Sequence, residues 1–266
     1  MTTNYAYAER LLTLTGAGLS YGEKRIFRDV NVVIDNVTRP GLNQGQCVAL
    51  LGPSGIGKTQ LFRCIAGMHP LTLGTIDFGP EHRPVVLGEV GVVQQSYPLL
   101  AHRTIRGNLE LVCKDKVKIV TLLTRFGLAD HIDKYPIQLS GGQRQRVAII
   151  QQMISSRHML MMDEPFSGLD IIAKNKVCEL INEVNLIDEL NTTIFTTHDL
   201  ESAVMIADHI WVMGREKDKD GVEIPGSTIV KTYDLIERDL AWQPDVIHHP
   251  AFQPMINELR DLFVTL

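Results

Sequence analysis

The sequence is poor in cysteine, in aromatic residues and in long apolar runs, and it has no excess of basic residues. Several of these shortages argue against particular classes of protein. Four cysteines are scattered over 266 residues. None forms a CxxC pair or has a histidine neighbour at metal-ligand spacing, so we expect neither a disulfide framework nor a zinc site. Only 6% of the residues are aromatic, but 44% are hydrophobic, which is enough to bury a large globular core. A basic excess is missing too: the net charge of -5 argues against a protein that coats nucleic acid.

No apolar run approaches the roughly 18 residues that are needed to cross a bilayer. The first residues, MTTNYAYAER, lack the basic and then apolar layout of a signal peptide. We therefore expect a cytoplasmic chain. If it serves a membrane process, the membrane-spanning part is expected to be another polypeptide.

Short apolar runs predict the strands of a sheet. Residues 48–51, 158–162 and 193–196 are such runs, and each precedes a helical pattern. This alternation is typical of a parallel sheet covered by helices. Residues 11–20 and 26–34 instead predict two strands joined by a turn, with no helix between them. The sequence therefore predicts an α/β fold with a mostly parallel sheet, preceded by an antiparallel β lobe.

Two later stretches depart from the strand and helix alternation. Residues 99–156 have mainly helical spacing, which predicts a helical subdomain inserted into the α/β core. The charged run REKDKDG, residues 215–221, predicts a solvated hairpin. Near the end, an apolar stripe at helical spacing favours a helix packed on its own domain over a membrane or partner surface. The stripe consists of Phe252, Met255, Ile256, Leu259, Leu262 and Phe263.

The segment GPSGIGKT, residues 52–59, matches the phosphate-binding pattern G-x-x-x-x-G-K-[ST]. We call it the P-loop, and it lies between a predicted strand and a helical pattern at 60–68. Its glycines allow a tight turn whose N–H groups face an anion, and the helix start adds partial positive charge. Lys58 is predicted to contact the β- and γ-phosphates of a nucleoside triphosphate, and Thr59 to bind Mg²⁺. The predicted nucleotide-binding residues here are Gly52, Pro53, Ser54, Gly55, Ile56, Gly57, Lys58, Thr59 and Gln60.

A second glycine-rich segment, LSGGQ at residues 139–143, opens an amphipathic helical pattern at 143–154. The Ser140 hydroxyl and the amides of Gly141 and Gly142 would form an anion site at the helix start. We predict that these three residues and Gln143 bind nucleotide. Two anion sites far apart on one chain suggest a nucleotide held between two copies.

The run HMLMMDEP, residues 158–165, is an apolar strand that ends in two acids. Both carboxylates would lie at the sheet edge where the P-loop also lies. Asp163 is predicted to bind Mg²⁺, and Glu164 to be the base that polarises an attacking water. Alone, the pair could equally be a solvated turn. Beside the two glycine-rich segments, the hydrolytic interpretation is favoured.

With these segments in this order, the sequence resembles the ABC (ATP-binding cassette) ATPase family, in which LSGGQ is the signature. The resemblance covers residues 21–198 and implies further roles. His198 would be the switch histidine that contacts the γ-phosphate. Gln94 would be the glutamine that reaches Mg²⁺ or the attacking water, with Gln95 as the alternative register. Tyr21 would stack on adenine, the alternative being an ordinary tyrosine at a strand end.

The family pattern is matched at SGLD, residues 167–170, where the aspartate of relatives crosses the dimer interface. Three positions depart from it: Gln60 replaces a usual hydroxyl residue, Gln151 a common arginine and His158 a common proline. None of these changes removes a hydrolytic group. Residues 36–44 resemble a small insertion in the β lobe.

The resemblance implies ATP and Mg²⁺ as ligands, a second cassette, most simply an identical copy, and a transmembrane permease subunit held by residues 96–109. The stretch at 133–138 and the separate single cassette favour an importer, which adds a solute-binding protein and places the chain on the inner face of the membrane. One alternative is a soluble ABC ATPase that acts on nucleic acid or ribosomes, but this chain has one cassette and no sustained heptad insert. Another is a non-hydrolytic scaffold, which would be expected to lose Glu164 or His198. We expect no nucleic-acid partner.

We predict a single domain of four segments. Residues 1–95 form the β lobe and P-loop core, 96–157 the helical subdomain with the signature, 158–214 the remainder of the catalytic core, and 215–266 the C-terminal hairpin and helix.

Overall fold

A computed structural model of the chain describes residues 5–39, 41, 44–94, 99–155, 158–243 and 245–266. The strands in these ranges are β1 (Ala6–Tyr21), β2 (Lys24–Thr38), β3 (Gln46–Leu51), β4 (Leu73–Phe78), β5 (Arg83–Pro84), β6 (Val90–Val93), β7 (Met159–Asp163), β8 (Thr192–Thr197), β9 (His209–Gly214) and β10 (Thr228–Asp234). The helices are α1 (Lys58–Ile65), α2 (Ile105–Leu109), α3 (Lys116–Arg125), α4 (Gly141–Ser155), α5 (Ile171–Asn185), α6 (Leu200–Ile206) and α7 (Phe252–Thr265).

The described strands form two sheets. One has the order β10-β9-β3-β8-β7-β6 and is parallel except for β10, while the other is antiparallel with the order β2-β1-β4-β5. The predicted α/β fold with a mostly parallel sheet and an antiparallel β lobe is therefore confirmed. The lobe is not continuous in sequence, because β4 and β5 follow the P-loop: β4 returns to pair with β1, and β5 pairs with β4.

Strand β3 lies between two apolar cores. All six of its residues are buried, and alternate side chains point to opposite faces of the sheet. Val48 and Leu50 pack into a core shared with the antiparallel sheet and α1, whereas Cys47, Ala49 and Leu51 pack into a core shared with the helices. This double burial holds the carboxyl end of β3, and so the P-loop, at a fixed position.

The structure shows what lies in the predicted helical region and at the C-terminal stripe. Residues 99–155 contain α2, α3, α4 and two 3₁₀ turns. In α7 the predicted stripe packs on the chain's own core, with Phe252, Met255, Ile256 and Leu259 buried there. None of the helices in the described ranges is long and apolar enough to cross a membrane.

The predicted insertion at 36–44 is in part an extension of β2, which continues to Thr38. The next residue, Arg39, is buried and stacks its guanidinium on the Trp242 ring, 3.3 Å from the ring centroid. This contact joins the end of β2 to the C-terminal part of the chain. Residues 40, 42 and 43 of the insertion, and residues 95–98 around the predicted permease contact, lie outside the described residues.

A buried carboxyl group, Asp208, fastens the start of β3. Its Oδ2 accepts a hydrogen bond of 2.6 Å from the backbone N–H of Cys47. Burial raises the pKa of Asp208 to about 7, whereas an unfolded aspartate has a pKa of about 3.9. Between these values the folded chain holds a proton that the unfolded chain has released. The free energy of unfolding therefore falls as the pH rises through this window.

We expect Asp208→Asn to flatten this pH dependence, because the amide oxygen can still accept from Cys47 and does not titrate. In the wild type, the free energy of unfolding should fall by on the order of 1 kcal/mol per pH unit within this window. Urea unfolding at a series of pH values measures it. Asp261→Asn, which changes an exposed aspartate of α7, is the control. A wild-type slope that survives in Asp208→Asn would assign the pH dependence to another group.

Candidate nucleotide-binding site

The P-loop connects the end of β3 to the start of α1. At Gly52 a Cβ atom would lie 2.6 Å from the carbonyl oxygen of Met213 in β9, so only glycine fits this close approach. Gly57 has a φ of 112°, a conformation that side chains rarely adopt, and it directly precedes the first helical residue. The glycines at these two positions therefore allow the tight backbone turn of the loop. They also let α1 begin with its N-terminal end facing the loop.

Lys58 is folded into the loop. Its side chain is 5% exposed, and its Nζ donates to the carbonyl oxygens of Gly52 and Pro53 at 2.8 and 3.1 Å. The ammonium group also lies 3.3 Å from Oε1 of Glu164. A buried positive charge is thus held at the centre of the loop by three oxygen atoms.

The carboxyl ends of β7 and β8 bring the two predicted acids to the P-loop. Asp163 Oδ1 accepts hydrogen bonds from the hydroxyls of Thr59 and Thr196, at 3.3 and 2.7 Å. The same Thr196 hydroxyl accepts from the backbone N–H of Glu164 at 2.9 Å. Asp163 and Thr59 therefore place two oxygen atoms side by side.

Glu164 connects Lys58 to His198. Its Oε2 lies 2.9 Å from His198 Nδ1, and its Oε1 faces the Lys58 ammonium. The backbone of Glu164 has a φ of 48°, the left-handed region, which costs a residue other than glycine roughly 1–3 kcal/mol. Such strain at the end of a strand is typical of a functional position. The Glu164 side chain remains 22% exposed, so the carboxylate can reach solvent.

A pocket of about 510 Å³ opens over the P-loop. Tyr21 forms one wall: the residue is 45% exposed, its hydroxyl donates to Gln60 Oε1 at 3.0 Å, and His69 contacts its ring edge to face. The predicted residues Ser54, Gly55, Ile56, Gly57, Lys58, Thr59, Gln60, Glu164 and Tyr21 line this pocket. Most of the predicted site is therefore assembled on one face of the chain.

Two predicted parts of the site lie elsewhere. Gln94 directly follows β6 and is exposed, and it is not among the described residues that line the pocket. The signature residues Ser140, Gly141, Gly142 and Gln143 lie at the start of α4 and, within the described ranges, do not line it either. There the Ser140 hydroxyl accepts from the Gln143 N–H at 3.2 Å, which caps the helix.

Several residues of the site and of its pocket were not predicted from the sequence. Thr196 bridges the two acids, and Lys24, Arg25 and Arg215 add positive charge to the wall. Arg215 begins the predicted solvated hairpin, whose residues are exposed as expected, but its side chain also lines the pocket. For Thr196, the one signal in the sequence is its position near the end of an apolar strand. The sequence gives no such signal for Lys24, Arg25 or Arg215.

The arrangement defines a class of protein. A P-loop with a buried lysine, a Thr–Asp oxygen pair and a Glu–His pair, at the ends of adjacent parallel strands, is typical of α/β proteins that bind nucleoside triphosphates. Residues 35–167 match the family model described as ABC transporter. The chain belongs to the ABC transporter family.

Named relatives support the assignment. The chain is 38% identical over 192 residues to the sulfate/thiosulfate import ATP-binding protein CysA 1 of Agrobacterium fabrum, a match that covers 66% of this chain and 55% of that protein. It is 35% identical over 212 residues to CysA of Escherichia coli, covering 74% and 55%. It is 33% identical over 261 residues to CysA of Synechocystis, covering 91% and 71%. The chain thus spans about half the length of the first two relatives.

Among solved structures, cbiO1 from Clostridium perfringens, described as part of the ABC transporter complex cbiONQ, has a TM-score of 0.71 with this chain. The match covers 96% of this chain and 100% of that one, at 21% sequence identity. It shows a shared fold.

Proposed function

We propose that this chain binds and hydrolyses ATP as the motor subunit of an ABC importer. The observation that carries the proposal is the single cluster formed by Lys58, Thr59, Asp163, Glu164 and His198 at the carboxyl ends of β3, β7 and β8. Phosphoryl transfer to water needs positioned positive charge, a metal site and a group that orients the water. These five side chains supply each of them.

The P-loop suits a triphosphate. Its amides, the start of α1 and the Lys58 ammonium offer a concentrated set of donors for phosphate oxygens. Lys58 would exchange the carbonyl oxygens of Gly52 and Pro53 for phosphate oxygens, which leaves the Glu164 carboxylate free. Tyr21 offers a flat, exposed face to the base.

Mg²⁺ fits the adjacent oxygen pair. Thr59 Oγ1 and Asp163 Oδ1 are hard oxygen donors 3.3 Å apart, and Thr196 fixes the carboxylate. Thr59 and Asp163, with Gln94 in the complete site, would hold the ion. When bound, Mg²⁺ neutralises charge on the phosphate oxygens.

Glu164 is the proposed base. Its carboxylate would accept a proton from, or orient, the water that attacks the γ-phosphate. His198, 2.9 Å away, would hold that carboxylate and contact the γ-phosphate.

A second copy would complete the site. Within the described residues the signature does not line the P-loop pocket. The Ser140 hydroxyl and the amides at the start of α4 suit phosphate. We propose that two chains pair head to tail, with ATP between the P-loop of one and the signature of the other. Hydrolysis then releases the pair.

The membrane context rests on the relatives, whose names contain the word import. We propose that the chain acts at the inner face of the membrane with a permease and a solute-binding protein, and that residues 96–109 contact the permease. Co-purification of a transmembrane protein would support this, and isolation of the chain on ribosomes would overturn it.

The proposed ATPase is tested by turnover of the purified chain at increasing protein concentration, with ATP and Mg²⁺ in excess. If two chains form the site, turnover per chain should rise with concentration and then level off. Turnover that is independent of concentration in a monomeric protein would contradict the two-chain site, and absence of turnover would contradict the function.

Tyr21→Ala is expected to weaken ATP binding about tenfold, because loss of base stacking costs about 1–3 kcal/mol per base. Tyr21→Phe keeps the ring and loses the contacts of the hydroxyl with Gln60 and His69, so it should bind ATP nearly as the wild type does. Titration with a fluorescent ATP analogue, in competition with ATP, measures both. Equal weakening in the two variants would show that the hydroxyl, rather than the ring face, matters.

A further inference from the structure

One histidine of the helical region, His131, contacts the signature. It ends the 3₁₀ turn Ala129–His131, and its Nε2 lies 3.0 Å from Nε2 of Gln143. The other oxygen and nitrogen contacts of Gln143 are local, since its Oε1 accepts from the backbone N–H of Ser140 at 2.9 Å. His131 is therefore connected through the Gln143 side-chain amide to the backbone of Ser140.

The geometry fixes which atom donates. Because Gln143 Oε1 already accepts from Ser140, the Gln143 amide nitrogen must donate toward His131. His131 Nε2 must then be the acceptor, so the ring is neutral with its proton on Nδ1. Within the described residues the buried Nδ1 atom has no hydrogen-bond partner, so the Gln143 contact is the polar contact that orients the ring.

The segment around His131 is anchored at a second place. The backbone N–H groups of Ile105 and Arg106, at the start of α2, donate to the carbonyl oxygens of Lys134 and Ile132, both at 2.8 Å. The side chain of Arg106 also pairs with Asp133 at 3.0 Å. These bonds fix the backbone next to His131 against α2, so the imidazole projects from an anchored segment.

We propose that His131 is a positioning residue for the signature: it holds the Gln143 side chain so that Ser140 and the amides after it are aligned for the nucleotide of the partner copy. This inference rests on the proposed function. His131 lies outside the P-loop pocket, so it should affect closure and turnover and leave ATP binding to the P-loop of the single chain unchanged.

The test compares two substitutions in the full chain. His131→Leu removes the acceptor and keeps an apolar side chain, whereas His131→Gln can return an oxygen acceptor near the place of Nε2. We expect His131→Leu to lower ATP turnover about fivefold, the effect of one lost hydrogen bond, with unchanged ATP affinity of the monomer. His131→Gln should recover most of the turnover. His102→Leu, at an exposed histidine of the same region, is the matched control.

A second readout does not depend on activity. In ¹⁵N-histidine NMR spectra, the signal that is lost in His131→Leu should be that of a neutral ring protonated at Nδ1. A ring protonated at Nε2, wild-type turnover in His131→Leu, or equal loss in His131→Leu and His131→Gln would overturn the proposal. A wild-type chain without ATP turnover would overturn the proposed function. The NMR measurement needs no turnover, so it tests the contact between His131 and Gln143 separately.

Discussion

Glu164→Gln is expected to lower ATP turnover by about 10²- to 10⁴-fold, the range typical of a lost general base. Glutamine keeps the size of the side chain and an oxygen that can face Lys58, but it cannot take a proton from water. ATP binding should persist, because the P-loop, Lys58 and Thr59 are unchanged. The measurement is phosphate release under saturating ATP and Mg²⁺, together with an ATP-binding titration.

The control for this prediction is Glu201→Gln, which alters an exposed carboxylate in the first turn of α6. It should hydrolyse ATP at the wild-type rate. If Glu164→Gln also kept that rate, the base would have to be another group, and the contact between Glu164 and His198 would be structural.

Lys58→Ala is expected to abolish ATP binding at concentrations that saturate the wild type, and to lower turnover at least about a hundredfold, as for other lost charge-stabilising donors. The substitution removes the buried cation and leaves the carbonyl oxygens of Gly52 and Pro53 facing the Glu164 carboxylate. Negative charge then dominates the centre of the loop and repels phosphate. Direct ATP titration of the variant measures the loss.

Lys24→Ala is the matched control, since Lys24 also lines the pocket but is exposed at the turn between β1 and β2. It should weaken ATP binding only slightly, because an exposed charge is screened by solvent and salt. Comparable losses in the two variants would mean that the pocket attracts ATP by its overall charge and that Lys58 has no special role. Circular dichroism spectra check that both variants fold.

The parts of the candidate site whose placement can be predicted from the sequence are those fixed by local chemistry. The P-loop can be recognised from its glycine spacing between an apolar strand and a helix. Asp163 and Glu164 can be recognised as two acids at the end of an apolar strand. Neither needs information from distant parts of the chain. Their meeting follows from a general rule, since the carboxyl ends of neighbouring parallel strands share one sheet edge.

Other contacts depend on pairing that local sequence does not encode. Thr196 reaches Asp163 only because β7 and β8 pair with these two residues opposite each other. His69 meets Tyr21, 48 positions earlier, because β1 and α1 come together across the core between the two sheets. For the same reason the return of β4 to β1, and the placement of Arg215 over the P-loop, were not predicted.

The roles of Gln94 and of the signature residues remain predictions. The described residues place Gln94 at the end of β6 and the signature at the start of α4, and neither lines the P-loop pocket. The four-segment division of the domain likewise stays a prediction.

The two-chain site is tested most directly by the molar mass of Glu164→Gln, measured by light scattering during size-exclusion chromatography with ATP and Mg²⁺. A two-chain site predicts a shift from the 29.8 kDa of one chain to twice that mass with ATP, and a return to the single-chain mass with ADP. A variant that binds ATP and keeps the mass of one chain would contradict the two-chain site at the centre of the account.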